Sequence, residues 1–131
     1  MSDWINVGTH SIRVEQEIAF IRLCGKLSVS QTQALLAICQ DVHEKEGRIC
    51  MLFDGTKTTS LSPEVRRTVI DWSKRYPITA VANFGGGLPQ RALATLAIAA
   101  IRLLSRTAPP QTYEATEAAA RAWLEQYRPA R

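Results

Sequence analysis

Ile49-Cys50-Met51-Leu52-Phe53-Asp54 decides the fold. Five apolar residues run without interruption and stop at a carboxylate. A strand with one wet face alternates, whereas so short an unbroken run fits a strand covered on both faces, as in a parallel sheet flanked by helices. Helical patterns stand on either side. Upstream, Ser28 and Gln31 make a capping box, Leu35, Ile38 and Val42 recur at helical spacing, and Gly47 supplies a stop. Downstream, Ser62-Pro63-Glu64 opens a second helix with a hydroxyl cap, a proline suited to the first turn and a carboxylate at the positive end of the dipole. Val65, Val69, Trp72 and Tyr76 line one face of that helix, and Pro77 ends it.

Further out, the segment from Ile5 to Val14 includes the alternating run Ile12-Arg13-Val14, and Ile18 to Cys24 is a clearer strand. Glu15-Gln16-Glu17 between them suits a tight antiparallel connection. Ile78 to Phe84 reads as another strand, followed directly by Gly85-Gly86-Gly87. A third helix is expected from about Pro89 to Arg106, then a break at Pro109 and Pro110, a short edge strand at Thr112-Tyr113-Glu114, and a last helix capped by Thr116 that includes Trp123 and Leu124. The expected order is ββαβαβαβα. That is an α/β fold: a mixed sheet of about five strands, partly parallel, flanked by four helices, in a single domain over residues 1–131.

Composition agrees with one globular domain: 131 residues, 46% hydrophobic and 21% charged. The most apolar run, Ala92 to Ile101, is bracketed by Arg91 and Arg102 and is shorter than the ~20 residues that span a bilayer. Met1-Ser2-Asp3-Trp4 lacks a basic region followed by an apolar stretch, so no secretory signal and a cytoplasmic location are expected. The formal charge of +4 is uneven: residues 1–65 carry 6 basic and 8 acidic side chains, and residues 66–131 carry 10 and 4. A solvated arginine-rich surface is the reading of this excess, ahead of an anionic partner, and no nucleic acid is expected.

Chemistry-bearing constellations are sparse. Cys24, Cys39 and Cys50 are odd in number, share no metal-ligand spacing and sit in apolar patterns, which suggests buried free thiols. A Cys–His pair would need His10 or His43 beside one of them, and a core-facing thiol is a poor nucleophile. His43 near Asp41, Glu44 and Glu46 reads as a solvated helix face, not a metal site. No GxSxG elbow or Walker A sequence occurs. No catalytic residue, metal or cofactor is therefore expected.

Two features point to interaction. The third helix is apolar nearly all round, with Arg91, Thr95, Arg102 and Arg106 close to one stripe. It is either a plain core helix or, through residues 89–106, part of a homodimer or partner interface. The second feature is positional. If the strands ending at Phe53 and Phe84 are parallel, the loops after them leave the same end of the sheet, where ligand sites of open α/β sheets gather. Asp54, Thr56, Thr58, Ser60, Ser62, Arg66, Arg67, Gly85, Gly86, Gly87 and Arg91 would form that rim, as a partner- or anion-binding edge. Its hydroxyls, Ser60 and Ser62 above all, are candidate phosphorylation sites, behind the plainer reading of ordinary turn and cap residues.

The order of elements, with Ile49–Asp54, Ser60–Arg67, Arg91–Ser105 and Ala115–Leu124, resembles the STAS domain superfamily. The closer likeness is to stand-alone bacterial domains similar to the anti-sigma factor antagonist. The resemblance implies a non-catalytic regulatory protein–protein interaction domain, with an anti-sigma factor or kinase-like regulator as partner. In that group Asp-Ser usually opens the helix after the central strand, and the serine accepts phosphate. Here Ser62-Pro63 stands there, so the acceptor position holds Pro63. More distant relatives that bind lipids give an alternative reading: a small-ligand domain for a lipid or an anionic metabolite.

Overall fold

The computed structural model describes residues 3–58, 61–87, 91, 92, 95, 99 and 108–128. Six strands form one sheet in chain order: β1 (Ile5–Val7), β2 (His10–Glu15), β3 (Ile18–Gly25), β4 (Cys50–Thr58), β5 (Ala80–Phe84) and β6 (Gln111–Glu114). The first three run antiparallel to one another, and β3 to β6 are parallel. The sheet has one strand more than expected because Ile5 to Val14 folds back on itself. Gly8 makes the turn at φ +62°, where a Cβ would collide with the Gln31 amide.

The expected connection at Glu15-Gln16-Glu17 is a two-residue turn, with Glu15 paired to Ile18 and Gln16 at φ +57°. A non-glycine residue in that region is strained, and distant groups hold it there. The Arg128 guanidinium donates to Gln16 Oε1 at 2.8 Å, and the Glu17 carbonyl accepts from Cys50 N–H at 2.8 Å.

Three helices are described in full: α1 (Val29–Glu46), α2 (Pro63–Arg75) and α3 (Glu117–Glu125). Their caps follow from the sequence. Ser28 and Gln31 make the reciprocal capping box of α1, the Ser62 hydroxyl accepts from Val65 N–H at 3.2 Å, and Thr116 accepts from Ala119 N–H at 3.2 Å. The helix expected over 89–106, with the homodimer or partner interface placed on it, lies outside the described residues. The exceptions are Arg91, Ala92, Thr95 and Ala99, which are helical.

The crossovers β3–α1–β4 and β4–α2–β5 each step one strand in the same direction, so the right-handed rule puts both helices on one face. Ala19, Ile21, Ile49, Met51 and Val81 meet Leu35, Cys39, Val42 and Val65 there, with Val69 and Trp72 partly buried against them. On the other face Phe20, Cys50, Leu52, Ala82 and Phe84 meet Ala120 and Leu124 of α3. The central run is thus covered on both sides, which is why it needs no polar alternation. Burying a side chain such as Leu52, 0% exposed, contributes about 1.5–3 kcal/mol. Among the described residues no helix is long and apolar enough to cross a membrane.

Candidate functional site

The parallel register aligns one end of β3, β4, β5 and β6 as a rim, and Arg22, Asp54, Phe84 and Glu114 are neighbours in one row across it. The expected loop after Phe53 begins later than the sequence suggests. β4 continues through Thr58, pairing with β3 past a bulge, where Asp54 to Lys57 span the step from Arg22 to Cys24, until Gly25 meets Thr58. Asp54, Thr56 and Thr58 are therefore strand residues, and the β-branched threonines suit that role. β4 projects beyond its pairing with β5, which ends at Asp54–Phe84, and leaves Thr56 and Lys57 exposed.

Asp54 organises this projection. Its Oδ1 accepts from Thr56 N–H at 3.0 Å and from the Thr56 hydroxyl at 2.6 Å, while Oδ2 lies 3.7 Å from Arg22 Nε. Gly85 closes in from β5 at φ +87°. A Cβ there would strike the Thr56 hydroxyl and come within 3.1 Å of Asp54 Oδ1. Gly85 is thus demanded by both its backbone angle and the close approach. The Arg22 guanidinium also lies 4.4 Å from the centre of the Trp4 ring, which packs edge-on to Phe20 at 5.1 Å.

A second group lies one step back. Tyr113 belongs to the row Phe53–Asn83–Tyr113, whose side chains face α1 and α2, whereas the Asp54 row faces α3. The Arg91 guanidinium is 5.9 Å from the Tyr113 ring, and the buried Tyr113 hydroxyl has no hydrogen-bond partner among the described residues. Burial raises the Tyr113 pKa above the ordinary phenol value, Arg91 opposes this, and the charge of Asp54 adds to it.

The other expected rim residues divide. Ser62 is occupied as the cap of α2, and Arg66 turns back to donate to the Leu61 carbonyl at 3.1 Å. Arg67 is exposed, and no hydrogen bond or ion pair joins it to Asp54 among the described residues. Gly86 follows Gly85 in the left-handed region at φ +79°, and the Gly87 carbonyl accepts from Arg91 N–H at 3.1 Å. Ser60 lies outside the described residues. The sequence pointed to neither Arg22 nor Tyr113: Arg22 reaches Asp54 only through the register of β3 on β4, and Tyr113 carried no signal beyond an aromatic residue in a short strand.

The cysteines are not all core-facing. Cys39 and Cys50 are buried, and Cys24 is partly exposed near the end of β3. Burial pushes the Cys39 thiol up to about 12 and raises that of Cys50. A histidine does meet a cysteine, but at the main chain: Cys24 N–H donates to His10 Nδ1 at 3.0 Å. Among the described residues no group of three His, Cys, Asp or Glu side chains could hold a metal ion.

No protein-family profile and no curated protein matches the sequence. The sheet and the helices have the SpoIIAA-like, that is STAS-like, fold, and a solved structure bears this out. The chain is similar to an uncharacterized DUF3478-family protein with a SpoIIAA-like fold from Shewanella loihica PV-4. The TM-score is 0.62 and the identity 18%, over 88% of this chain and 92% of that one. At that identity the likeness shows the fold alone.

Proposed function

We propose that the chain is a non-catalytic, cytoplasmic regulatory domain that binds a protein partner through the projecting end of β4 and the strand ends beside it. The observation that supports this most is the Asp54 cluster. A carboxylate, a hydroxyl and a guanidinium are held in fixed positions on rigid strands, with Gly85 packed against them and Lys57 exposed at the tip. Rigid polar groups at the open end of a parallel sheet suit recognition of another surface at little ordering cost. The resemblance to anti-sigma factor antagonists supplies the kind of partner, an anti-sigma factor or kinase-like regulator. Phosphate on Ser62 would bring acceptor oxygens and negative charge to the positive end of α2, where the helix stabilises them, and so alter the charge of this edge.

The reading is tested by placing a photo-crosslinking residue at Lys57 and, separately, at Lys74, which is exposed on the last turn of α2. A discrete partner captured at 57 and absent at 74 is expected. Capture at 74 alone, or equally at both, contradicts the proposal.

A second reading is a small-ligand domain for an anionic metabolite or lipid headgroup. The unpartnered Tyr113 hydroxyl beside Arg91 favours it, since an anion there would accept from both. Native mass spectrometry of gently purified protein separates the two. A retained ligand lost in Tyr113→Phe supports the second reading, and an empty protein supports the first.

A further inference from the structure

We propose that His10 is a proton-operated latch that ties the β1–β2 turn and the end of β3 to the first turn of α1, and that acid releases it. The ring is 1% exposed and both nitrogens are engaged. The β2–β3 ladder stops at Ser11–Arg22, and the Cys24 N–H beyond it donates to His10 Nδ1 at 3.0 Å. Nδ1 therefore carries no proton, and the proton sits on Nε2. Nε2–H is shared between the Lys26 carbonyl and Gln31 Oε1, each at 3.2 Å.

Gln31 makes this bond consequential. The same Oε1 accepts from Ser28 N–H at 3.0 Å in the capping box of α1. Gly8 packs against the Gln31 amide from the other side, and the Thr9 hydroxyl donates to the Cys24 carbonyl at 2.8 Å. One imidazole thus joins a turn, the end of β3 and a helix cap. A second proton can enter only at Nδ1, where it would face the Cys24 N–H donor to donor. The bond cannot survive that, and the end of β3 would open from the ring.

Among the described residues the ring is hydrogen-bonded to no carboxylate, and Nε2 has only neutral acceptors. β1 carries no titratable side chain, and α1 has no acidic residue in its first turn. The titratable residues that strand pairing and sequence bring to this end are the Cys24 thiol on β3, the exposed Lys26 after it, and Lys57 of β4, which pairs with Cys24, while Arg22 lies in the row facing α3 with Asp54 beside it. Lys26 and Lys57 are cationic. The latch also adjoins the rim, because Gly25 pairs with Thr58. Acid would therefore loosen the side of the rim where β4 projects.

The test is amide hydrogen exchange by NMR on the full chain at pH 7.5 and pH 5.5, expressed as protection factors. This window spans the ordinary imidazole range and lies above that of carboxylates, about 4. Protection of the Cys24, Gln31 and Thr32 amides is expected to fall about tenfold at the lower pH, the worth of roughly one hydrogen bond. In His10→Gln, which does not titrate, the fall is expected to vanish. An equal fall in His10→Gln, or none in the wild type, overturns the proposal. Two readings need no variant. The imidazole nitrogen shifts at pH 7.5 must report the Nε2–H tautomer, and the loss of protection must follow the titration of His10. A ring protonated at Nδ1, or a loss that follows His43 instead, overturns it equally.

Discussion

Arg128 and Glu17, separated by 111 residues in the chain, meet at 2.7 Å, with the Glu17 side chain only 6% exposed. The same guanidinium reaches Gln16 and Glu125. The segment after α3 therefore holds the β2–β3 turn in its strained conformation, and the turn in turn supports the start of β4 through Cys50 N–H. Removing one partner of such a pair leaves a charge uncompensated, which costs far more than the pair gains over an apolar substitute. Arg128→Ala is expected to lower stability by about 2–3 kcal/mol, discounted because Arg128 keeps 17% exposure. Urea denaturation measures it. A loss below about 0.5 kcal/mol would show the contact to be an ordinary surface pair.

Gly85→Ala tests the close approach at the rim. The residue adopts φ +87°, and the added methyl would meet the Thr56 hydroxyl, so a loss of about 1–3 kcal/mol is expected. Thr56→Ala in the same chain removes the obstacle but leaves the backbone angle unchanged. The double variant should recover part of the loss. Simple additivity in thermal unfolding would show that Thr56 is not what excludes the methyl.

Acid should weaken the ion-pair group on the α3 face. The two-pronged hydrogen bond from Arg121 holds the Glu15 carboxyl below its ordinary value of 4.5, against the opposing effect of burial and with help from Arg13. The unfolded chain then binds this proton more tightly than the folded one. The stabilisation is complete above the ordinary value and is lost as pH falls through the lowered one. The stability gap between wild type and Glu15→Gln should accordingly shrink below about pH 4.5. A gap that stays constant from pH 7 to pH 3 would remove this role from Glu15.

Thiol reactivity should rank the three cysteines. The Cys39 thiol is buried and pushed up to about 12, that of Cys50 is buried and raised, and Cys24 is partly exposed. One thiol is expected to react quickly with an aromatic disulfide in the native protein, and all three after denaturation. Cys24→Ser should abolish the fast phase. A fast phase that persists would place the accessible thiol elsewhere.

The core was legible because its signals are local. Ile49 to Phe53 fit a doubly covered strand, and Ser28, Ser62 and Thr116 each announced a helix from residues within one turn. Misread features depend on partners far along the chain. Gly8 divides the first segment because Gln31 lies against it. β4 outruns its apolar stretch because an extra residue between Asp54 and Lys57 lets Gly25 pair with Thr58. The Asp54 cluster was half visible: the carboxylate, the threonine and the glycine were foreseen at one edge. Arg22 and Tyr113 join that edge only through strand register, which no local pattern encodes.

The claim on which the rest depends is that the rim carries the partner. Once the protein captured at position 57 is purified, its affinity for rim variants Arg22→Ala and Asp54→Asn should be compared with that for Lys74→Ala and Glu46→Ala at the other end of the helices. A tenfold or greater loss for the rim pair, with the second pair unchanged, is the result expected. Equal affinity for all four variants would contradict the account.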